Sequence, residues 1–129
     1  MPQRQVLLIE DEPHIAEAIR FILSRAGWGV SVLDDGAQAL GQIVAQTPDA
    51  VILDLMLPGR SGLEILADMR ADPSLAALPV LMLSARGQDR DREAAERAGA
   101  TAFLAKPFAN SDVLAGLEAI MGGAQGTPV

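Results

Sequence analysis

The sequence predicts an α/β protein, built as a five-stranded parallel sheet with helices on both faces. Five short, almost continuous apolar segments alternate with longer stretches in which apolar residues recur at helical spacing. Strands that are apolar on both sides indicate a sheet covered on both faces, connected by right-handed crossovers. The 129 residues, 50% of them hydrophobic, suffice for one domain with a proper core.

The predicted strands are short runs rich in leucine and β-branched residues. They lie at residues 6–9, 30–33, 50–53, 80–83 and 102–104. Pro48 and Pro79 stand just before two of these runs, where a missing N–H is tolerated. We therefore place the first strand near the N-terminus and the last near residue 104.

The predicted helices are recognised by apolar stripes between the strands. The stripes comprise Ile15, Ile19, Ile22 and Ala26; Leu40, Ile43 and Val44; Leu63, Leu66 and Met69, with Arg70 ending the stripe in solvent; and Val113, Leu117, Ile120 and Met121. Gly27 and Gly99 are typical helix stops. Between residues 86 and 99 the apolar side chains are alanines alone, so the fourth helix should be the least firmly docked. We expect the domain to span residues 1–121, followed by a flexible tail at 122–129.

The charge balance restricts the function. The formal net charge is −7, and Lys106 is the only lysine. A chain this acidic repels nucleic acid and anionic lipid. We therefore expect that it binds neither nucleic acid directly nor a membrane surface. The chain has no cysteine, which excludes disulfides and thiolate metal sites. The sequence has neither a membrane-length apolar run nor an apolar signal core, so we expect a cytoplasmic protein.

Polar residues follow four of the predicted strands. Glu10-Asp11-Glu12 follow the first, Asp54 the third, Ser84-Ala85 the fourth and Lys106-Pro107 the fifth. Ligands of open parallel sheets bind at the carboxyl ends of the strands, so we expect these side chains to converge. Clustered carboxylates repel one another unless a hard cation such as Mg²⁺ lies between them. An aspartate there could attack phosphorus, with a hydroxyl and an ammonium group supporting the transferred charge.

In these motifs, the chain resembles the receiver domains of response regulators, including the single-domain chemotaxis type. The matching segments are Leu8 to Glu12, Ile52 to Gly59 with Gly62, Leu83-Ser84-Ala85, and Gly99-Ala100 followed by Phe103 to Phe108. The resemblance covers about residues 6–121. It implies a flavodoxin-like doubly wound sheet in the order 2-1-3-4-5.

The resemblance also implies a role for each site residue. Asp54 would be the phosphoacceptor, and Mg²⁺ would be held by Glu10, Asp11, Asp54 and the backbone carbonyl of Met56. Ser84, the backbone of Ala85 and Lys106 would bind the phosphoryl group. Ser84 and Phe103 would form the switch, and the Lys106–Pro107 bond would be cis. The donor would be a histidine kinase or a histidine phosphotransfer protein, and the output a changed face of helix 4, strand 5 and helix 5. The downstream target is not implied.

Other interpretations remain open at this point. The chain could be an aspartyl phosphatase, but those enzymes carry a second Asp two residues after the nucleophile to transfer a proton, and this chain has Met56 at that position. We therefore expect a protein that is not an enzyme. It could also be an interaction module with an unused site. Glu12 is expected to cap the next helix, His14 to lie on the surface and Trp28 to pack.

The assembly state is equally open. Thr101, Ala102 and Gly116 replace the acid–base residues that many regulators of this family use to dimerise, so we expect a monomer or a weak phosphorylation-dependent dimer. The sequence favours neither a standalone regulator nor a fragment of a longer one.

Overall fold

The strands and helices alternate along the chain as predicted. The structure, a computed structural model, describes residues 3–84 and 89–125. The strands are β1 (Gln5–Ile9), β2 (Gly29–Leu33), β3 (Ala50–Asp54), β4 (Val80–Ser84) and β5 (Ala102–Ala105). The helices are α1 (Pro13–Arg25), α2 (Ala39–Gln46, after a 3₁₀ turn at Gly36–Gln38), α3 (Gly62–Ala71), α4 (Asp89–Ala98) and α5 (Asn110–Gln125).

The five strands form one parallel sheet in the order β2-β1-β3-β4-β5, which confirms the predicted fold. The register brings the strand ends to the same level. Ile9 lies opposite both Leu33 and Leu53, Asp54 lies opposite Leu83, and Ser84 lies opposite Ala105. Because all strands run the same way, the residues that follow them share one edge.

Two apolar layers cover the sheet, one on each face. Helices α1 and α5 pack Ile19, Leu23, Val113 and Leu117 against one face, and helices α2, α3 and α4 pack Ile43, Ile65, Leu66, Met69 and Ala95 against the other. Of the α4 residues whose side chains are described, Ala95 alone is fully buried. This burial agrees with the expectation that α4 is the least firmly docked helix, which stays a prediction until its stability is measured.

Two of the predicted helix stripes differ from the observed ones. The buried face of α1 is formed by Ala16, Ile19 and Leu23, whereas Ala26 is exposed because the helix has already ended there. Val44 is 56% exposed, because α2 directs Ile43 toward the sheet and the next side chain, Val44, away from it.

The prediction that Arg70 ends the third stripe in solvent is wrong. Its guanidinium is partly buried and donates from Nε to the Gly99 carbonyl at 2.8 Å and from Nη1 to the Leu75 carbonyl at 3.1 Å. A long side chain can lay its methylene stem along apolar surface and carry its charge to distant acceptors, which helical spacing alone does not reveal.

Local chemistry explains where the helices begin and end. Glu12 caps α1 by accepting from the His14 N–H at 2.7 Å, as expected. Gly27 and Gly99 have φ of +100° and +104°, which side chains rarely adopt, and each follows a helix. Helix α5 continues to Gln125, beyond the expected domain end at residue 121; residues 126–129 lie outside the described part. Among the described residues, no helix combines the length and apolarity that crossing a membrane requires.

Candidate functional site

The residues that follow the strands meet at one edge of the sheet. Glu10 leaves β1 with its N–H bonded to the Leu33 carbonyl at 2.9 Å, and Asp54 is the last residue of β3. Lys106 follows β5, and its N–H donates to the Ser84 carbonyl at 2.6 Å. The sheet backbone thus holds each functional residue by a ladder-type hydrogen bond or strand pairing rather than by a free loop.

Three carboxylates form a tight group there. Glu10, Asp11 and Asp54 each offer an oxygen, and these atoms all lie within 4.8 Å of one another. Glu10 and Asp54 are only 1% and 3% exposed, while Asp11 faces solvent. The group thus combines two buried acids with one that is exposed to solvent.

Lys106 is the cation of this group. Its Nζ lies 3.1 Å from Glu10 Oε1 and 3.2 Å from Asp54 Oδ2. Burial by itself lowers the pKa of Lys106, but the charge of Asp54 and then that of Glu10 outweigh it, so the pKa is raised. The ammonium group therefore stays charged between the two acids. The Lys106–Pro107 peptide bond is cis, as the resemblance implied.

The pKa of Glu10 differs from that of a glutamate in water. The pKa of Glu10 is raised from 4.5 to about 7, and burial is the largest cause. The neighbouring Asp54 charge also raises it, whereas the hydrogen bond from the Glu12 N–H and the charge of Lys106 lower it. One lysine does not fully compensate the cluster of acids, and a divalent cation would do so.

The donor set fits a hard divalent cation. The three side chains present only carboxylate oxygens, the ligands that Mg²⁺ and Ca²⁺ prefer. Met56 lies beside them; its N–H donates to Asp54 Oδ1 at 3.3 Å and its side chain is 53% exposed. The assignment of the Met56 carbonyl as a further ligand stays a prediction.

The predicted switch residues lie on the neighbouring strands β4 and β5. Ser84 is buried at the end of β4, and Ala85 lies outside the described residues. Phe103, in the middle of β5, is partly buried, and the Arg92 guanidinium of α4 lies 4.9 Å from its ring centroid. The sequence gives no signal that separates Arg92 from the other arginines of α4, so this contact was not predicted.

Two residues outside the cluster behave as expected. His14 is exposed in the first turn of α1. Trp28 is buried, donates from Nε1 to Glu118 Oε2 at 3.1 Å, and carries the Arg4 guanidinium 4.4 Å above its ring. This group of three side chains joins α5 to the start of the sheet, away from the strand tips, and is structural.

A flavodoxin-like sheet with acids and a lysine at its strand tips defines a receiver-type signalling domain. The chain belongs to the response regulator receiver domain family, which it matches over residues 6–118. Family membership and the strand order were both predicted from the motifs, and both are confirmed.

Known proteins agree with this assignment. The response regulator MprA of Mycolicibacterium vanbaalenii is 39% identical over 121 residues, which are 94% of this chain and 51% of that protein. PhoB, the phosphate regulon transcriptional regulatory protein of Escherichia coli, is 34% identical over 118 residues, 92% of this chain and 52% of that protein. The solved structure of the chemotaxis response regulator CheY4 of Vibrio cholerae has a TM-score of 0.86 and 27% identity, covering 92% of this chain and 99% of that one. The chain spans about half the length of the MprA and PhoB relatives.

Proposed function

We propose that this domain accepts a phosphoryl group on Asp54 from a phosphohistidine of a histidine kinase or phosphotransfer protein. The observation that carries the proposal is the environment of Asp54. Its carboxylate is buried, lies within 4.8 Å of two further acids and bonds to the only lysine of the chain at 3.2 Å. This arrangement assembles a nucleophile, donors for the transferred charge and an ion site in one place.

The transfer conserves atoms and charge in a simple way. A carboxylate oxygen of Asp54 forms a bond to phosphorus while the phosphorus–nitrogen bond of the donor breaks. The imidazole leaves with the electron pair and takes a proton from solvent. Asp54 Oδ1 accepts from the Met56 N–H and Oδ2 from Lys106, so these two donors orient the carboxylate for in-line attack.

Mg²⁺ is the cofactor that we propose, held by Glu10, Asp11, Asp54 and the Met56 carbonyl. When bound, it neutralises the phosphate oxygens as charge develops on them. The Lys106 Nζ donates to Asp54 Oδ2 and, after the transfer, would move to an oxygen of the phosphoryl group, where the negative charge then lies. The Ser84 hydroxyl and the Ala85 backbone would bind the remaining oxygens.

The proposed output is a change of the surface made by α4, β5 and α5. The phosphoryl group adds strong acceptor oxygens at the end of β4, where Ser84 lies. Drawing Ser84 toward them would allow Phe103 to turn inward and α4 to shift, which is a population shift between two packings. A partner protein would read the new surface; with a net charge of −7, this domain is not suited to bind nucleic acid itself.

We propose a regulatory acceptor rather than an enzyme with turnover. Met56 stands two residues after Asp54, and a thioether cannot transfer the proton that a phosphomonoester leaving group needs. Steady release of product from a phosphomonoester would contradict this part of the proposal.

Mass spectrometry after treatment with acetyl phosphate tests the proposal. The native chain should gain one phosphoryl group when Mg²⁺ is present and little when EDTA replaces it. Asp54→Asn should gain none. Asp49→Asn is the matched control because Asp49 lies at the opposite end of β3, bonded to the Gln5 N–H at 2.7 Å. Labelling of Asp54→Asn at the native level would place the acceptor elsewhere.

A further inference from the structure

Helix α4 is fixed at its C-terminal end. The carbonyl of Gly99, directly after the helix, accepts from Arg70 Nε at 2.8 Å. Two residues later, the Thr101 N–H donates to the Val80 carbonyl at 2.9 Å, which connects the chain to β4 just before β5 begins. Ala95 adds a fully buried methyl group. These contacts tie the last turn of α4 to α3 and to β4.

The N-terminal half of α4 is held differently. Arg92 reaches across to β5 and places its guanidinium 4.9 Å from the centroid of the Phe103 ring. Arg92 thus connects the first half of the helix to β5.

We propose that Arg92 is a latch that keeps Phe103 and the first half of α4 in the unphosphorylated arrangement. A guanidinium is attracted to the face of an aromatic ring, and here the two partners are the two parts that would move. When Phe103 turns inward, its ring must leave Arg92. The contact is therefore present in one state and absent in the other, which is the condition for a residue to bias a two-state equilibrium. The inference rests on the proposed function and assigns a residue that regulates the same site.

The latch predicts the sign and the size of a mutational effect. Cation–π contacts at exposed sites are modest, so losing one should favour the switched state by about two- to fivefold. If the switched state is the minor one at rest, the apparent affinity for a phosphoryl mimic rises by the same factor. Arg92→Ala should therefore bind beryllofluoride, in the presence of Mg²⁺, about two to five times more tightly than the native chain.

Arg97→Ala is the matched control. It removes the same charge from an exposed arginine in the last turn of the same helix, where the described residues show no ring beneath it. Arg92→Lys is a second comparison, because lysine keeps the charge but loses the planar group that lies over the ring. Alanine is the best helix former, so neither alanine variant should unfold α4.

The experiment titrates Mg²⁺ and beryllofluoride into the native chain and the three variants, with labelled phenylalanine observed by NMR. Tighter binding by Arg92→Ala alone, with a larger inward population of the Phe103 ring before any ligand is added, supports the latch. An intermediate result for Arg92→Lys supports it further. Equal affinities of Arg92→Ala and the native chain, or equal gains in Arg97→Ala, overturn it. If the native chain binds beryllofluoride and Arg92→Ala gains nothing, the latch fails while the proposed function stands. If the native chain does not bind beryllofluoride at all, the proposed function fails as well.

Discussion

Replacing Glu10 by glutamine should remove a pH-dependent cost to the stability of the metal-free domain. Burial raises the pKa of Glu10 from 4.5 to about 7 in the folded protein. The native state therefore holds this proton more tightly than the unfolded chain does. Its stabilising effect is complete below pH 4.5 and is lost as the pH rises through about 7. At roughly 1.4 kcal/mol for each pH unit between the two values, the loss amounts to about 3 kcal/mol.

The assay is urea unfolding in EDTA between pH 4.5 and pH 8, followed by the fluorescence of the buried Trp28. Glutamine has a similar shape and does not titrate. The free energy of unfolding of Glu10→Gln, relative to the native chain, should thus rise by about 3 kcal/mol from the lowest pH to the highest. Comparing the two proteins at each pH cancels groups that titrate alike in both. A difference that stays constant across this range would refute the argument, because it would mean that Glu10 has the same pKa in the folded and the unfolded chain.

Three further predictions follow from the same geometry. Mg²⁺ should raise the midpoint of urea unfolding more at pH 8 than at pH 5.5, since Glu10 must lose its proton to bind the ion; equal increases at both pH values would exclude Glu10 from the site. Arg70→Met should lower the free energy of unfolding by about 2 kcal/mol, because it leaves the Gly99 carbonyl without its charged donor; a change below 0.5 kcal/mol by urea titration would contradict this. Amide exchange should be faster in Asp89–Ala98 than in Gly62–Ala71, because α3 buries Ile65, Leu66 and Met69 whereas α4 fully buries one alanine among its described side chains; equal protection by mass spectrometry would show that α4 is not thinly anchored.

The candidate site was predictable because it depends on chain direction. All strands of a parallel sheet end at the same edge, so the residues after each apolar run must meet there. Asp54 and Ser84 are the last residues of their strands, and Glu10 and Lys106 directly follow theirs, which is visible in the sequence. The almost continuous apolar strands and the apolar stripes of the helices were sufficient to predict a parallel sheet covered on both faces, whereas the strand order came from the resemblance.

Contacts between elements were less predictable. Arg70 was expected in solvent, because a charged residue at the end of an apolar stripe usually lies there. It instead turns to carbonyls of the α3–β4 connection and of Gly99, which are five and 29 residues away along the chain. No local pattern encodes which distant acceptor a flexible side chain will reach.

The sequence by itself determined the class of fold, the strand order through its family motifs, and the identity of the residues at the strand tips. These properties follow from local periodicity and from residue type. The tertiary structure decided how the charges are shared: Lys106 between two acids, Glu10 buried beyond what one lysine compensates, and Arg92 over Phe103. The reason is that burial and distance depend on the packing of helices onto the sheet, and a pKa or an aromatic contact responds to that packing rather than to the neighbours along the chain.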